Sequence, residues 1–129
     1  MKLILFLAAA VLAQTAAAET TAYHCKMTKQ DAHGWIAPEY GFQIDLSAAS
    51  AMAASSHQDW VKAKFKDRGA NRYRIVWNLD RKMVAGGNAR VRYQANLNTS
   101  DNTVAVRMAF LRGNFANKPY GVGTCSKVK

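Results

Sequence analysis

Lysine and arginine recur at alternate positions in several parts of the chain, and they are the side chains whose spacing most clearly suggests a function. In a β-strand, successive side chains point to opposite faces, so this spacing predicts one charged face on each strand. Cations side by side on neighbouring strands create a positive potential that concentrates polyanions. We therefore treat these residues as a candidate anion-binding set. Its members are Lys62, Lys64, Lys66, Arg72, Arg74, Arg90 and Arg92.

The same pattern has a second interpretation that involves no ligand. Strands facing water carry lysine and arginine for solubility and to prevent pairing at sheet edges. Neutralising acids are scarce, however, because we expect Asp59, Asp67 and Asp80 at strand ends rather than between the cations. Unpaired like charges lower stability when they lie opposite one another on adjacent strands. The scarcity of acids therefore keeps the binding interpretation open.

The positions of the aromatic residues argue against nucleic acid as the polyanion. Proteins that bind single strands stack bases on aromatic side chains within the positively charged groove. Here Tyr73, Trp77 and Tyr93 alternate with the cations and are predicted to face the core. For an exported protein, the expected ligand is an anionic envelope polymer or a lipid head group.

Sequence motifs for catalysis and for cofactors are missing. The chain has no Gly-x-Ser-x-Gly, no His-Glu-x-x-His and no glycine loop of the kind that binds phosphate. Its three histidines, His24, His33 and His57, lie at separations that do not suggest a metal site. We therefore expect a protein that is not an enzyme and that has no cofactor and no metal.

Residues 1–18 have the features of a secretory signal. Lys2 precedes an apolar run over residues 3–13, and alanines at 16 and 18 supply the small residues of a cleavage site before Glu19. The run is about half of the ~20 residues that a membrane-spanning helix needs. Of the 18 lysines and arginines only Lys2 lies in the leader, so residues 19–129 carry 17 basic and 8 acidic side chains, a net charge of +9. We expect a periplasmic or secreted protein without a transmembrane span.

Export determines how the two cysteines are interpreted. Cys25 and Cys125 are the only cysteines, and in an oxidising compartment two cysteines most simply form one disulfide. Closing a loop of about 100 residues stabilises a protein by roughly 4–5 kcal/mol in the chain-entropy model. Free thiols with a redox or metal role are the alternative, but the chain lacks a Cys-x-x-Cys motif.

Period-two alternation predicts that residues 19–129 form one all-β domain. Turn-forming residues at 67–71, 85–88 and 98–102 separate the strands and favour an antiparallel meander. Seven or eight strands would then form a small barrel or a sandwich whose first and last strands are joined by the disulfide. The predicted strands cover residues 21–28, 42–46, 61–66, 73–78, 90–97, 104–110 and 120–128.

Two places in this pattern allow more than one interpretation. Residues 47–58 are rich in alanine, which favours a helix, but a strand over 51–54 that pairs back on 42–46 fits the surrounding pattern better. Trp35, in Gly34-Trp35-Ile36-Ala37-Pro38, either plugs one end of the barrel or is exposed as a contact for a partner protein.

The start of the predicted mature chain resembles one known family. Tyr23-His24-Cys25, with a second cysteine only at 125, is similar to the C-type lysozyme inhibitors of the bacterial periplasm. The resemblance implies a small eight-stranded barrel with a disulfide between its terminal strands, and an inhibitor function. The family's Ser-Gly-x-x-Tyr inhibitory loop is not found here, so the resemblance informs the fold more than the activity.

A second resemblance covers more of the chain. The pattern resembles uncharacterised small secreted proteins of alphaproteobacteria. This resemblance implies a Gram-negative periplasmic setting, but it assigns no functional site. The matching residues are Cys25, Gly34-Trp35-Ile36-x-Pro38, Ile44-Asp45, Arg74-x-x-Trp77, Arg92-Tyr93 and Gly123-Thr124-Cys125.

Three functions follow as hypotheses. The first is an exported binding module that holds an anionic envelope component on its basic face. The second is an inhibitor or other protein-binding module that uses Trp35 and the loop over residues 113–119. The third is a carrier for a small ligand inside the barrel, for which about 111 residues leave little room.

Overall fold

The computed structural model describes residues 20–83, 86–112 and 118–128, and these form a closed barrel of eight antiparallel strands in chain order. The predicted leader lies outside the described residues. The strands are β1 (Thr20–Lys29), β2 (Glu39–Asp45), β3 (Ser50–Ser55), β4 (Gln58–Gly69), β5 (Arg72–Lys82), β6 (Asn88–Asn98), β7 (Thr103–Phe110) and β8 (Tyr120–Val128). The prediction of an all-β meander is confirmed, and the choice between barrel and sandwich is settled in favour of the barrel.

The alanine-rich segment forms a strand, as the sequence favoured. β3 pairs with β2, placing Ala53 opposite Phe42 and Ala51 opposite Ile44. Ala51 and Ala53 are both buried, so their small side chains face the interior beside large apolar residues. Burial against β2 therefore outweighs the helix preference of alanine in this segment.

Alternate residues of each strand fill the barrel interior. Ile75 and Val91 are fully buried, and Trp77 stacks on Tyr93 with ring centroids 5.5 Å apart. Phe42 packs edge-on against Trp77 at 5.9 Å, so aromatic rings from three strands meet at the centre. Because these side chains occupy the inner positions, the residues between them must face outward, and this places the cations on the outer surface.

The barrel closes where β1 meets β8, and the disulfide lies in this seam. Cys25 and Cys125 are directly opposite each other and are bonded, as predicted. This closure pairs the first strand with the last, so neither of the two is left as a free edge at the seam.

Gly123 is required at this seam because β1 passes directly over it. A Cβ at this position would overlap the carbonyl oxygen of Lys26 and lie 2.8 Å from the Cα of Met27. Gly123→Ala is expected to lower the free energy of unfolding by about 3 kcal/mol, since backbone atoms must move apart to make room. Urea denaturation measures this loss, and Thr124→Ala, at the exposed neighbouring position, serves as the control. A loss below about 0.5 kcal/mol for Gly123→Ala would contradict the described seam.

Candidate anion-binding surface

The strand register places the seven predicted cations on the outer face of three consecutive strands, β4, β5 and β6. Lys66 lies opposite Arg74, and Lys64 lies opposite Val76. Across the next ladder, Arg92 lies opposite Asn78. Of the seven predicted cations, Arg74 is half-buried and the other six are exposed. The sequence periodicity therefore assigned these side chains to the face on which the structure places them.

One acidic residue belongs to this surface, contrary to expectation. Asp80 lies within β5, directly opposite Arg90, and its Oδ1 is 3.8 Å from Nη1 of Arg90. The expectation that Asp80 sits apart from the cation rows is wrong, because β5 runs on to Lys82. Arg90 is therefore partly neutralised, and the positive potential is centred on the other six residues.

The two central arginines are held by neutral partners. Nε of Arg74 donates to Oδ1 of Asn96, and Nε of Arg92 donates to Oδ1 of Asn78, both at 3.3 Å. An amide oxygen orients a guanidinium group without cancelling its charge, so the remaining N–H groups stay available for an anion. The acids Glu39 and Asp45 lie on β2, which is separated from β5 by β3 and β4.

The structure extends the basic surface to a residue outside the predicted set. Arg107 on β7 lies opposite Gln94 of β6 and stacks over the ring of Tyr120, with its Cζ 5.4 Å from the ring centroid. Arg92 and Arg107 line one shared cavity of about 490 Å³ together with Lys118. The sequence did not single out Arg107, because on β7 it is flanked by alanines at alternate positions and forms no basic run.

A groove of about 690 Å³ runs along the junction of β4 and β5. The groove is bordered by five of the predicted cations, namely Lys62, Lys64, Lys66, Arg74 and Arg92. Val76, Ala63, Phe65 and Trp77 also line this groove and give it an apolar floor. The groove thus presents cations from three strands to one ligand-sized space.

Trp35 lies at one end of the barrel, in the loop between β1 and β2. Its ring meets Phe110 edge-on at 5.2 Å, and the guanidinium of Arg81 lies over it at 5.2 Å. Its carbonyl oxygen accepts a hydrogen bond of 2.7 Å from the Tyr93 hydroxyl. Trp35 is half-buried, and these contacts are those of a side chain packed over the barrel end.

The loop that carries Trp35 is organised by a carboxylate. Asp31 accepts backbone N–H bonds from His33, Trp35 and Ile36 at 3.0, 3.2 and 2.7 Å. Asp31→Ala is expected to lower the free energy of unfolding by about 2 kcal/mol, because part-buried donors lose a charged acceptor. Thermal or urea unfolding measures the change, and Asp31→Asn, which keeps one acceptor oxygen, should retain part of the stability. Equal stability of Asp31→Ala and the unaltered protein would show that the loop is held by packing alone.

Two buried phenol groups lie beneath this loop. Burial raises the pKa of Tyr40 strongly, against the opposing effect of the hydrogen bond to the Ala37 amide. Burial also raises the pKa of Tyr93, while the hydrogen bond from Arg81 lowers it. Both groups are structural hydrogen-bonding partners at physiological pH and are poorly suited to act as bases.

The rest of the described chain adds few other candidate sites. Among residues 20–83, 86–112 and 118–128, no group of three or more histidine, cysteine or acidic residues is arranged to hold a metal ion. The same residues contain no helix long and apolar enough to cross a membrane. Of the predicted protein-contact loop over 113–119, only Lys118 and Pro119 fall within the described residues.

Comparison of the chain with protein families, with curated proteins and with solved structures finds no match.

Proposed function

We propose that this protein is an exported, non-enzymatic binding module that holds an anionic component of the cell envelope on its basic barrel face. The observation that carries the proposal is the groove between β4 and β5, where five cations from three strands surround one space. An array of this kind does not stabilise the fold, because like charges on adjacent strands repel. A polyanion that lies across the strands would turn this repulsion into attraction.

The chemistry of the bordering residues favours phosphate or carboxylate groups as the bound anions. Arg74 and Arg92 present fork-shaped donor groups held in place by asparagine side chains, and a guanidinium matches such anions with two parallel hydrogen bonds. The lysines of β4 act as point charges on flexible stems and adapt to anions at varied positions. The combination suits a repeating or heterogeneous anionic ligand.

Export is part of the same proposal. It is supported by the disulfide between Cys25 and Cys125, a bond that persists in the periplasm and outside the cell and is rare in the cytosol. It is also supported by the signal-like composition of residues 1–18. Envelope polymers and lipid head groups are the anions that an exported protein would meet in quantity.

Binding to immobilised polyphosphate in a salt series tests the proposal. We expect the logarithm of the binding constant to fall linearly with the logarithm of salt concentration between about 50 and 200 mM, because bound cations release counterions from the polymer. Polyphosphate binding that is independent of salt, or no binding at about 50 mM salt, would contradict the proposal.

A further inference from the structure

The β4–β5 ladder covers only part of the two strands. Paired residues run from Lys64 opposite Val76 to Gly69 opposite Arg72. β4 nevertheless begins at Gln58, and β5 continues to Lys82. Over their remaining lengths β4 pairs with β3, and β5 pairs with β6. The two strands therefore separate beyond Lys64 while the barrel remains closed around its other ladders.

Two features lie on the side of β4 that faces away from β5. The ring of Trp60 reaches across β3 to β2, where a Cβ at Gly41 would lie 3.1 Å from its Cη2 atom. The β3–β4 register also shifts between Ala53 and Ser55, which bends β4 locally. The first half of β4 therefore contacts β3 and β2 rather than β5.

The opening exposes part of the inner face of β4. Val61, Ala63 and Phe65 occupy inward positions but are only half-buried, whereas the inward residues of β6, from Ala89 to Leu97, are buried. The groove of about 690 Å³ is lined by inward residues such as Ala63 and by outward residues such as Val76. The lining thus includes residues from both faces of the sheet, at the place where the two strands separate.

Trp77, beside the groove, has a buried hydrogen-bond donor without a partner in the described part of the chain. Trp77 lines the groove and is 2 % exposed, and its Nε1 atom is buried without a hydrogen-bond partner among the described residues. A buried donor that lacks a partner costs free energy, commonly about 1–3 kcal/mol.

We infer that the groove binds one molecule of an anionic, acylated lipid rather than only the head group or a polymer. The negatively charged head group lies among the cations of the rim, and the acyl chain lies against Ala63, Phe65 and Val76 in the opening. The inference rests on the proposed function, because the same cations supply the charge.

The apolar floor is what favours a lipid over a purely ionic ligand. A polyanion would occupy the rim cations and leave the apolar side chains of Val76 and Phe65 uncovered. An acyl chain removes apolar surface from water at about 25 cal/mol per Å². The volume of the groove also lies in the range of about 300–1,000 Å³ that is typical of sites for single small molecules.

Fluorescence quenching by short-chain phosphatidylglycerol with brominated acyl chains tests this inference. The lipid is used below its micelle-forming concentration. The sequence has three tryptophans, so a Trp35→Phe, Trp60→Phe variant reports on Trp77 alone. We expect saturable quenching with one lipid per protein, since bromine quenches only at close contact.

A second variant keeps the test informative if the double tryptophan variant folds poorly. Val76→Thr preserves shape and charge but places a hydroxyl on the groove floor. It should weaken binding of unlabelled short-chain phosphatidylglycerol about fourfold, the equivalent of one buried methylene, without changing polyphosphate binding. Val122→Thr, the same substitution at a half-buried outward position on β8, is the matched control and should leave both affinities unchanged.

The outcomes separate this inference from the proposed function. Quenching of Trp77 together with the selective effect of Val76→Thr supports the lipid site. If glycerophosphoglycerol without acyl chains or poly-glutamate binds as tightly as the lipid, or if Trp77 is not quenched, the inference is overturned while polyanion binding stands. If neither the lipid nor polyphosphate binds, both proposals fail.

Discussion

Removing the disulfide is expected to lower the free energy of unfolding by about 4–5 kcal/mol. Cys25 and Cys125 are separated by 100 positions, and the entropy lost by the unfolded chain increases with the length of the closed loop. A loss of this size is close to the whole stability of a small domain, which is about 5–15 kcal/mol. Cys25→Ala/Cys125→Ala should therefore be partly unfolded at physiological temperature.

Denaturation with urea, with and without a reductant, measures this effect. The reduced protein retains both side chains in the core, so it separates the loss of the cross-link from the loss of packed atoms. If the reduced protein and the double alanine variant are equally destabilised, the cross-link accounts for the effect. A change below about 1 kcal/mol in both would show that the β1–β8 ladder alone holds the barrel closed.

Reversing two charges in the groove is expected to reduce polyphosphate affinity about a hundredfold at low salt. Lys64 on β4 and Arg92 on β6 both border the groove, and the Lys64→Glu/Arg92→Glu variant reverses both charges. Each exposed charge interacts with a nearby anion by about 1 kcal/mol or more, and the substitution replaces attraction by repulsion. The slope of affinity against salt should also become shallower, because fewer counterions are released.

A control with the same change in net charge separates the groove from the overall basic character. Lys29 and Lys127 are exposed on β1 and β8, so Lys29→Glu/Lys127→Glu alters the total charge equally but leaves the groove intact. We expect the control to reduce affinity only a few-fold. Equal losses in the two double variants would mean that net charge, rather than the groove, governs binding.

Much of the fold follows from the alternation of side chains in the sequence. Apolar residues such as Ile75 and Val91 alternate with basic residues such as Arg74 and Arg92. The burial of the first set and the outward direction of the second could therefore be predicted together. Alternation assigns a residue to a face, but it does not determine how far two strands stay paired. The separation of β4 from β5 is seen only in the strand register, in which pairing stops at Lys64 and Val76.

The candidate site shows the same division. The lysines of β4 form a run that is visible in the sequence, whereas Arg107 became part of the surface only through its register opposite Gln94. The position of Asp80 opposite Arg90 was likewise a matter of register, which depends on where β5 ends. Sequence periodicity thus predicted which of the basic residues face outward. Which of them lie next to one another could be seen only from the strand pairing.

Mapping polyphosphate onto the protein by NMR is the most direct test of the central claim, that the outer face of β4, β5 and β6 binds anions. We expect the backbone amide signals of residues 62–66, 74–78 and 92 to shift progressively as polyphosphate is added, and to return as salt is raised. Signals of β1 and β2 should stay in place. Shifts that concentrate on β1 and β2, or that spread evenly over the barrel, would contradict the account.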